Sequence, residues 1–287
     1  MRRIPSGLPD PRLPGGELPH RSAAGGWRYA TGMAGLFRVA RSLVMLGAFL
    51  VLTFFATLYV IVVGTVRRDT RHLDRVITTW SRFFLAVAPI TYRVEGHEHI
   101  DPARQYVVVG NHLSNFDIPL LFLATSPLRV RFFAKKELYK IPLFAQAMDR
   151  LGTVRIDRQA GMSAHEAIDV GVAAARRRGF SLLVFPEGTR SRTGEMGQFK
   201  KGAFRIAVDN GLPILPVVIA GTFDANPPDR NVIRPATAIA RFLAPIDTAG
   251  MTVRDDATPL MKKTRAEMET VYEEIRSRAG SHPSAQS

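Results

Sequence analysis

The run Gly110-Asn111-His112-Leu113-Ser114-Asn115-Phe116-Asp117 closes an apolar segment with a histidine and, five residues later, an aspartate. A neutral imidazole takes a proton from a hydroxyl near neutral pH, and a carboxylate on its far nitrogen fixes the tautomer and stabilises the imidazolium that forms. The spacing suits an oriented general base whose attacking hydroxyl comes from a substrate. Ser114 lies between the two residues, but the G-x-S-x-G turn that would make it a nucleophile is missing from the sequence there. A second run, Phe185-Pro186-Glu187-Gly188-Thr189-Arg190-Ser191, follows another apolar segment, Phe180 to Val184, and offers a turn, a carboxylate and a guanidinium.

The elements that position these runs alternate. From Thr91 onward, short β-rich stretches exchange with helical ones, which points to an α/β sheet with crossover helices. Strands are expected at Thr91–Glu95, Tyr106–Val109, Arg129–Ala134, Leu182–Phe185, Ile214–Ile219 and Thr237–Leu243. Helices are expected at Ile118–Ala124, Leu138–Leu151, Met162–Arg178 and Gly202–Asn210, with a charged helix beyond Pro259 to about Arg278 and a frayed tail from Ala279 to Ser287. Gly96-His97-Glu98-His99 reads as strand-end residues without a metal-ligand set, Arg176-Arg177-Arg178 as the solvated end of a helix, and no GxGxxG or Walker loop is present.

A chain of 287 residues with a formal charge of +14 calls for an anionic partner: nucleic acid, an anionic membrane surface or a phosphorylated substrate. Cysteine is absent, which removes disulfides, thiolate chemistry and cysteine-ligated metals. Ser42 to Val66 chooses among the partners, being 25 residues without a formal charge. As a helix it measures about 37 Å against a hydrocarbon core of about 30 Å, so it is long enough to span. Its position and the Arg67-Arg68 that follows it do not fit a signal peptide. Val76 to Tyr92, broken by Pro89, reads either as an interfacial helix holding Trp80, Phe83 and Phe84 at headgroup depth or as the first core helix. More arginines follow the long helix than precede it, which predicts a cell-membrane protein with its α/β domain on the cytoplasmic side. No nucleic-acid-binding module is visible. The expected organisation is a disordered basic leader (1–32, or residues upstream of a start at Met33), a membrane-anchoring helical region (33–90), an α/β domain (91–258), and a C-terminal helix and tail (259–287).

Residues from about 90 to 245 resemble the glycerolipid acyltransferase family, specifically the 1-acyl-sn-glycerol-3-phosphate acyltransferases. Four blocks carry the resemblance: NHxxxxD at Asn111, His112 and Asp117; Ala134-Lys135-Lys136-Glu137-Leu138 through Gly152 to Arg158; FPEGTRS at Phe185–Ser191; and Leu212-Pro213-Ile214-Leu215-Pro216-Val217. The resemblance implies a mixed sheet flanked by helices behind an N-terminal membrane helix or helical hairpin. It implies transfer of an acyl chain from acyl-CoA or acyl-carrier protein to lysophosphatidic acid, with no bound cofactor or metal. Glycerol 3-phosphate, another lysophospholipid and a lyso-aminolipid are alternative acceptors. In that chemistry His112 is the base and Asp117 orients it. Thr189 and Arg190 hold the head group, with Arg158 and Lys135 completing the phosphate clamp. Glu187 either fixes the loop or contacts an acceptor hydroxyl, and Gly188 supplies close backbone approach or a positive φ. Oxyanion donors are expected among backbone amides near Gly188 or Pro216–Val217. A non-catalytic scaffold binding anionic lipid is opposed by the intact His112, Asp117, Glu187 and Arg190.

Overall fold

The computed structural model describes residues 33–66, 71–126, 128–156, 162–228 and 233–281. The expected leader, Arg67, Arg68, Arg158 and the end of the tail lie outside the described residues. In chain order the elements are α1 (Met33–Val66), α2 (Arg71–Val87), β1 (Ile90–Glu95), β2 (Val107–Gly110), α3 (Asp117–Ala124), β3 (Val130–Lys135), α4 (Pro142–Leu151), β4 (Val154–Ile156), α5 (Met162–Arg177) and β5 (Ser181–Val184). They continue with α6 (Gly202–Asp209), β6 (Ile214–Ala220), the single turn α7 (Thr222–Ala225), β7 (Ala236–Phe242), α8 (Val253–Arg276) and β8 (Gly280–Ser281).

The strands form one sheet in the order β1-β7-β6-β2-β5-β3-β4, with β8 also paired to β7. β2 lies at its centre, parallel to both β5 and β6, and all of its residues are buried, which is why it reads as an unbroken apolar run. β3 runs parallel to β5, whereas β7 is antiparallel to β6, so the sheet is mixed as expected. Alternate residues feed two cores. Val107, Val109, Ile214 and Val218 face α5, α6 and α8, while Val108, Leu215, Val217 and Ile219 face α2 and α3. Because β2, β3, β5 and β6 share one direction, the segments that leave their carboxyl ends gather at one edge, where α/β sheets place their clefts.

α2 buries Leu73, Ile77, Ser81 and Leu85, one residue per turn, so of its two expected readings the core helix is the one observed. Asp74 ties it to the sheet, pairing with Arg129 at 2.7 Å and with the buried Arg131 at 2.5 Å. α1 contains a segment, Ala40–Val66, long and apolar enough to cross a membrane. One stripe of it lies along the domain. Arg41 donates to the Ile233 carbonyl at 3.3 Å, Met45, Thr57 and Val60 are buried, Thr53 accepts from the Trp80 indole at 3.0 Å, and Gly64 leaves room for Arg150. The opposite face exposes Leu43, Leu50, Phe55 and Val62.

Two expectations at the C-terminus are corrected. The last helix starts at Val253 rather than beyond Pro259, which it carries inside. Thr252 caps it, accepting from the Asp255 amide at 3.3 Å while Asp256 accepts from the Thr252 amide at 2.6 Å, and the buried Ala257 and Leu260 on either side of Pro259 hold the segment against the core. Residues Gly280 and Ser281, expected to fray, pair with Ala236 and Thr237 of β7.

Candidate active site

Where β2 ends, the Asn111 side chain continues its ladder: its amide donates to the Ile219 carbonyl at 2.9 Å and accepts from the Ile219 N–H at 2.7 Å. The backbone leaves the sheet at the next residue, His112. Asp117 opens α3, where a negative charge meets the positive end of the helix. Its carboxylate is fully buried and fully met. Oδ2 accepts from His112 Nδ1 at 2.8 Å and from the Leu113 and Ser114 amides at 2.6 and 2.8 Å, and Oδ1 accepts the Thr222 hydroxyl at 2.5 Å.

Since Asp117 can only accept, His112 Nδ1 carries the proton and Nε2 presents its lone pair outward. The His112 side chain is 16% exposed, so that nitrogen is reachable. The Phe185 ring stacks on the imidazole at 4.0 Å between centroids and 12° between planes. Aspartate and phenylalanine together fix the ring's rotation and its plane.

The second run grips the histidine's backbone. Glu187 Oε1 accepts the His112 N–H at 2.8 Å, Oε2 accepts the Gly197 N–H at 2.9 Å, and the Ser191 N–H donates to the His112 carbonyl at 2.8 Å. Of the two tasks foreseen for Glu187, these bonds belong to fixing the loop, since backbone amides take both oxygens. Burial pushes its carboxyl above the ordinary range and the amides of His112 and Gly197 oppose that rise. Gly188 adopts φ 75°, the positive φ foreseen, so that the chain can turn between Glu187 and Thr189. Thr189 is exposed and Arg190 half-buried, one residue from the Ser191 tie. Of Lys135 the backbone alone is described, in register with Ile156 of β4 at the same sheet edge. Arg158, in the same expected clamp, lies outside the described residues.

Ser114 is fully buried and its hydroxyl donates to the Asn226 carbonyl at 2.9 Å, which makes it a structural residue. His97 Nε2 lies 3.0 Å from the Ala124 carbonyl oxygen, and among the described residues no group of three acidic, histidine or cysteine side chains converges as for a metal ion. Thr222 and Phe185 were not foreseen as site residues. Phe185 was visible inside the FPEGTRS run, whereas Thr222 gave no signal beyond following Gly221 at a strand end. From the site an aromatic ladder leads to the N-terminal helices: Phe116 stacks on Phe84 at 4.9 Å, and Phe84 packs against Trp80 at 5.5 Å and Phe49 at 4.3 Å.

The family described as Acyltransferase matches residues 91–220. Over 185 residues the chain is 34% identical to a 1-acyl-sn-glycerol-3-phosphate acyltransferase of Saccharomyces cerevisiae, covering 64% of this chain and 60% of the yeast protein, less than two thirds of that relative's length. A Salmonella typhimurium protein of the same name is 31% identical over 235 residues, 79% of this chain and 92% of that one. The crystal structure of a 1-acyl-sn-glycerophosphate acyltransferase from Thermotoga maritima superposes with a TM-score of 0.67 at 29% identity, covering 83% of this chain and 97% of that one.

Proposed function

This chain belongs to the family of 1-acyl-sn-glycerol-3-phosphate acyltransferases, and from that membership we propose that it moves a fatty acyl group from a thioester to the sn-2 hydroxyl of 1-acyl-glycerol 3-phosphate. The products are phosphatidic acid and a free thiol. The thioester is carried on coenzyme A or acyl-carrier protein. The observation that carries this reading is the His112–Asp117 pair, 2.8 Å apart, with Nε2 free to meet a substrate hydroxyl.

In the first step the acceptor hydroxyl gives its proton to His112 Nε2 while its oxygen bonds to the thioester carbon. Asp117 stabilises the imidazolium through Nδ1, and the Phe185 face adds attraction for the cation. The carbonyl oxygen becomes an oxyanion that backbone N–H groups at the sheet edge can meet. Collapse then breaks the carbon–sulfur bond, the imidazolium proton passes to the thiolate, and neutral His112 is restored. Arg190, with Thr189 beside it, holds the phosphate. The guanidinium fork matches that group, and the Ser191–His112 tie keeps it at a set distance from the base. Lys135 and Arg158 complete the clamp.

The enzyme works at a membrane, and α1 is best read as lying within one leaflet. Its docked stripe runs from Arg41 to Gly64, about 35 Å at a rise of about 1.5 Å per residue, so a crossing α1 would draw the domain packed on it into a hydrocarbon core about 30 Å thick. The exposed apolar face instead enters the lipid, with the domain on the cytoplasmic side where acyl thioesters are supplied.

The test is acyl transfer by purified, detergent-solubilised protein from a labelled acyl thioester to a panel of lysolipids and glycerol 3-phosphate. His112→Ala is expected to lower the rate on lysophosphatidic acid by about 10² to 10⁴. Transfer unaffected by that substitution would overturn the mechanism. Transfer confined to another acceptor would overturn the assignment of lysophosphatidic acid.

A further inference from the structure

The loop after Ser191 runs past Glu187 before entering α6, and α8 holds it from the other side. From the buried stripe of α8 the Tyr272 hydroxyl donates to the Gly194 carbonyl, and beside that stripe Arg276 pairs with Glu195 at 2.6 Å. Burial pushes the Tyr272 hydroxyl up to about 12, so it stays a donor across the working pH range. Arg265 reaches two successive carbonyls, Gly197 O at 3.2 Å through Nε and Met196 O at 3.4 Å through Nη2. Glu269, one turn on, holds the end of the same guanidinium in a fork at 2.8 and 3.0 Å.

The peptide joining Met196 to Gly197 is therefore held at both ends. Its carbonyl accepts from Arg265 and its N–H donates to Glu187 Oε2 at 2.9 Å. A cation on the carbonyl polarises that peptide and strengthens its N–H as a donor. The approach is so close that a Cβ at residue 197 would stand 2.7 Å from Glu187 Oε2, which excludes any residue but glycine without a shift. The other oxygen of the same carboxylate holds the His112 N–H at 2.8 Å. An unbroken path of polar contacts thus runs from α8 to the backbone of the base.

We infer that Arg265 is a positioning residue for His112, acting through the 196–197 peptide and the Glu187 carboxylate. The inference rests on the acyl-transfer reading of the site. Without the guanidinium, the 196–197 peptide loses its outer anchor, and the partly released carboxylate lets His112 drift from the acceptor oxygen. Displacements on the order of 1 Å cost up to about 10²-fold in rate. Thr189 and Arg190 are not altered by the substitution, and the Ser191–His112 tie stays in place, so substrate binding changes little.

The experiment compares full-length wild type with Arg265→Met, Arg265→Lys, Glu269→Gln, Glu187→Gln and the Arg265→Met/Glu187→Gln double variant, measuring kcat, KM for acceptor and donor, and thermal unfolding. Arg265→Met is expected to lower kcat about tenfold with KM within about twofold, and Arg265→Lys to recover part of the loss. Glu269→Gln, which breaks the helix pair but keeps the donors to the loop, stays near wild type. The double variant is no slower than Glu187→Gln alone, because both changes act on one path. The inference is overturned if Arg265→Met keeps wild-type kcat, if the losses in the double variant multiply, or if Glu269→Gln reproduces the defect. Should Arg265→Met not fold, a wild-type kcat in Arg265→Lys together with a defective Glu269→Gln overturns it equally. An active wild type indifferent to Arg265 sinks this inference alone, whereas a wild type with no His112-dependent transfer sinks the acyl-transfer reading and this inference with it.

Discussion

Asp117 shows how much structure one carboxylate needs before it can serve a histidine. It is fully buried, and a buried charge is tolerable only when donors replace its water. Two backbone amides, the imidazole and the Thr222 hydroxyl do so. Thr222→Val keeps the shape and removes one donor, leaving Oδ1 buried without it. A loss of about 1–3 kcal/mol in chemical denaturation is expected, with a fall in kcat that Thr222→Ser largely avoids. Unchanged stability and rate in the valine variant would mean that the hydroxyl does not support Asp117. His112 and Asp117 were legible in the sequence because their geometry is local, a strand end and the first turn of a helix. Thr222 stands 105 residues from Asp117, and only the parallel pairing of β2 with β6 brings the two strand ends together. Threonine at a strand end is too ordinary to announce that partnership.

At the scale of elements, the six foreseen strands appear with ends shifted by about one residue, because each is a short apolar or alternating run with β-branched residues. β4 was not foreseen. Among the described residues its three pair with β3 alone, and they are too few for a period to register. The start of α8 was misread because a proline speaks loudly in a sequence and a cap does so only with its reciprocal partners in place. Where α8 ends, Glu95 of β1 joins Arg278 at 2.5 Å and Arg241 of β7 at 2.6 Å. Hydrogen bonding to Arg278, then to Arg241, holds its carboxyl below the usual value of 4.5 against the opposing effect of burial. The folded state therefore favours the ionised form. This stabilisation is fully present above about pH 4.5 and is lost as pH falls through the lowered folded value. Melting temperatures taken from pH 6 down to pH 3 should converge between wild type and Glu95→Gln, with wild type the more stable only at the upper end. Parallel curves would show that the cluster contributes nothing to acid sensitivity.

For the whole molecule, the decisive feature is the position of α1 against the domain. Composition announced an apolar helix long enough to cross a bilayer, and composition cannot say which of its faces is spoken for. The stripe Arg41, Met45, Phe49, Thr53, Thr57, Val60 and Gly64 recurs every three or four residues, but it mixes polar with apolar side chains and so hides among equally apolar neighbours. The chain has no cysteine, which makes labelling clean. Single cysteines at Arg38 and Arg71, charged positions on either side of the apolar segment, should both react with a membrane-impermeant thiol reagent from the same side of sealed vesicles. Reaction of one end only would require α1 to cross.

The aromatic ladder from Phe49 to Phe116 joins the apolar helix α1 to the loop that bears His112. If the acceptor is the lysolipid proposed above, it never has to leave the sheet of lipid it dissolves in to reach a protein docked there through α1, and neither does the product. The catalyst then works in two dimensions. Its acceptor is counted as molecules per area of surface rather than per volume of solution, and adding inert lipid at fixed total substrate slows it by dilution within the surface alone.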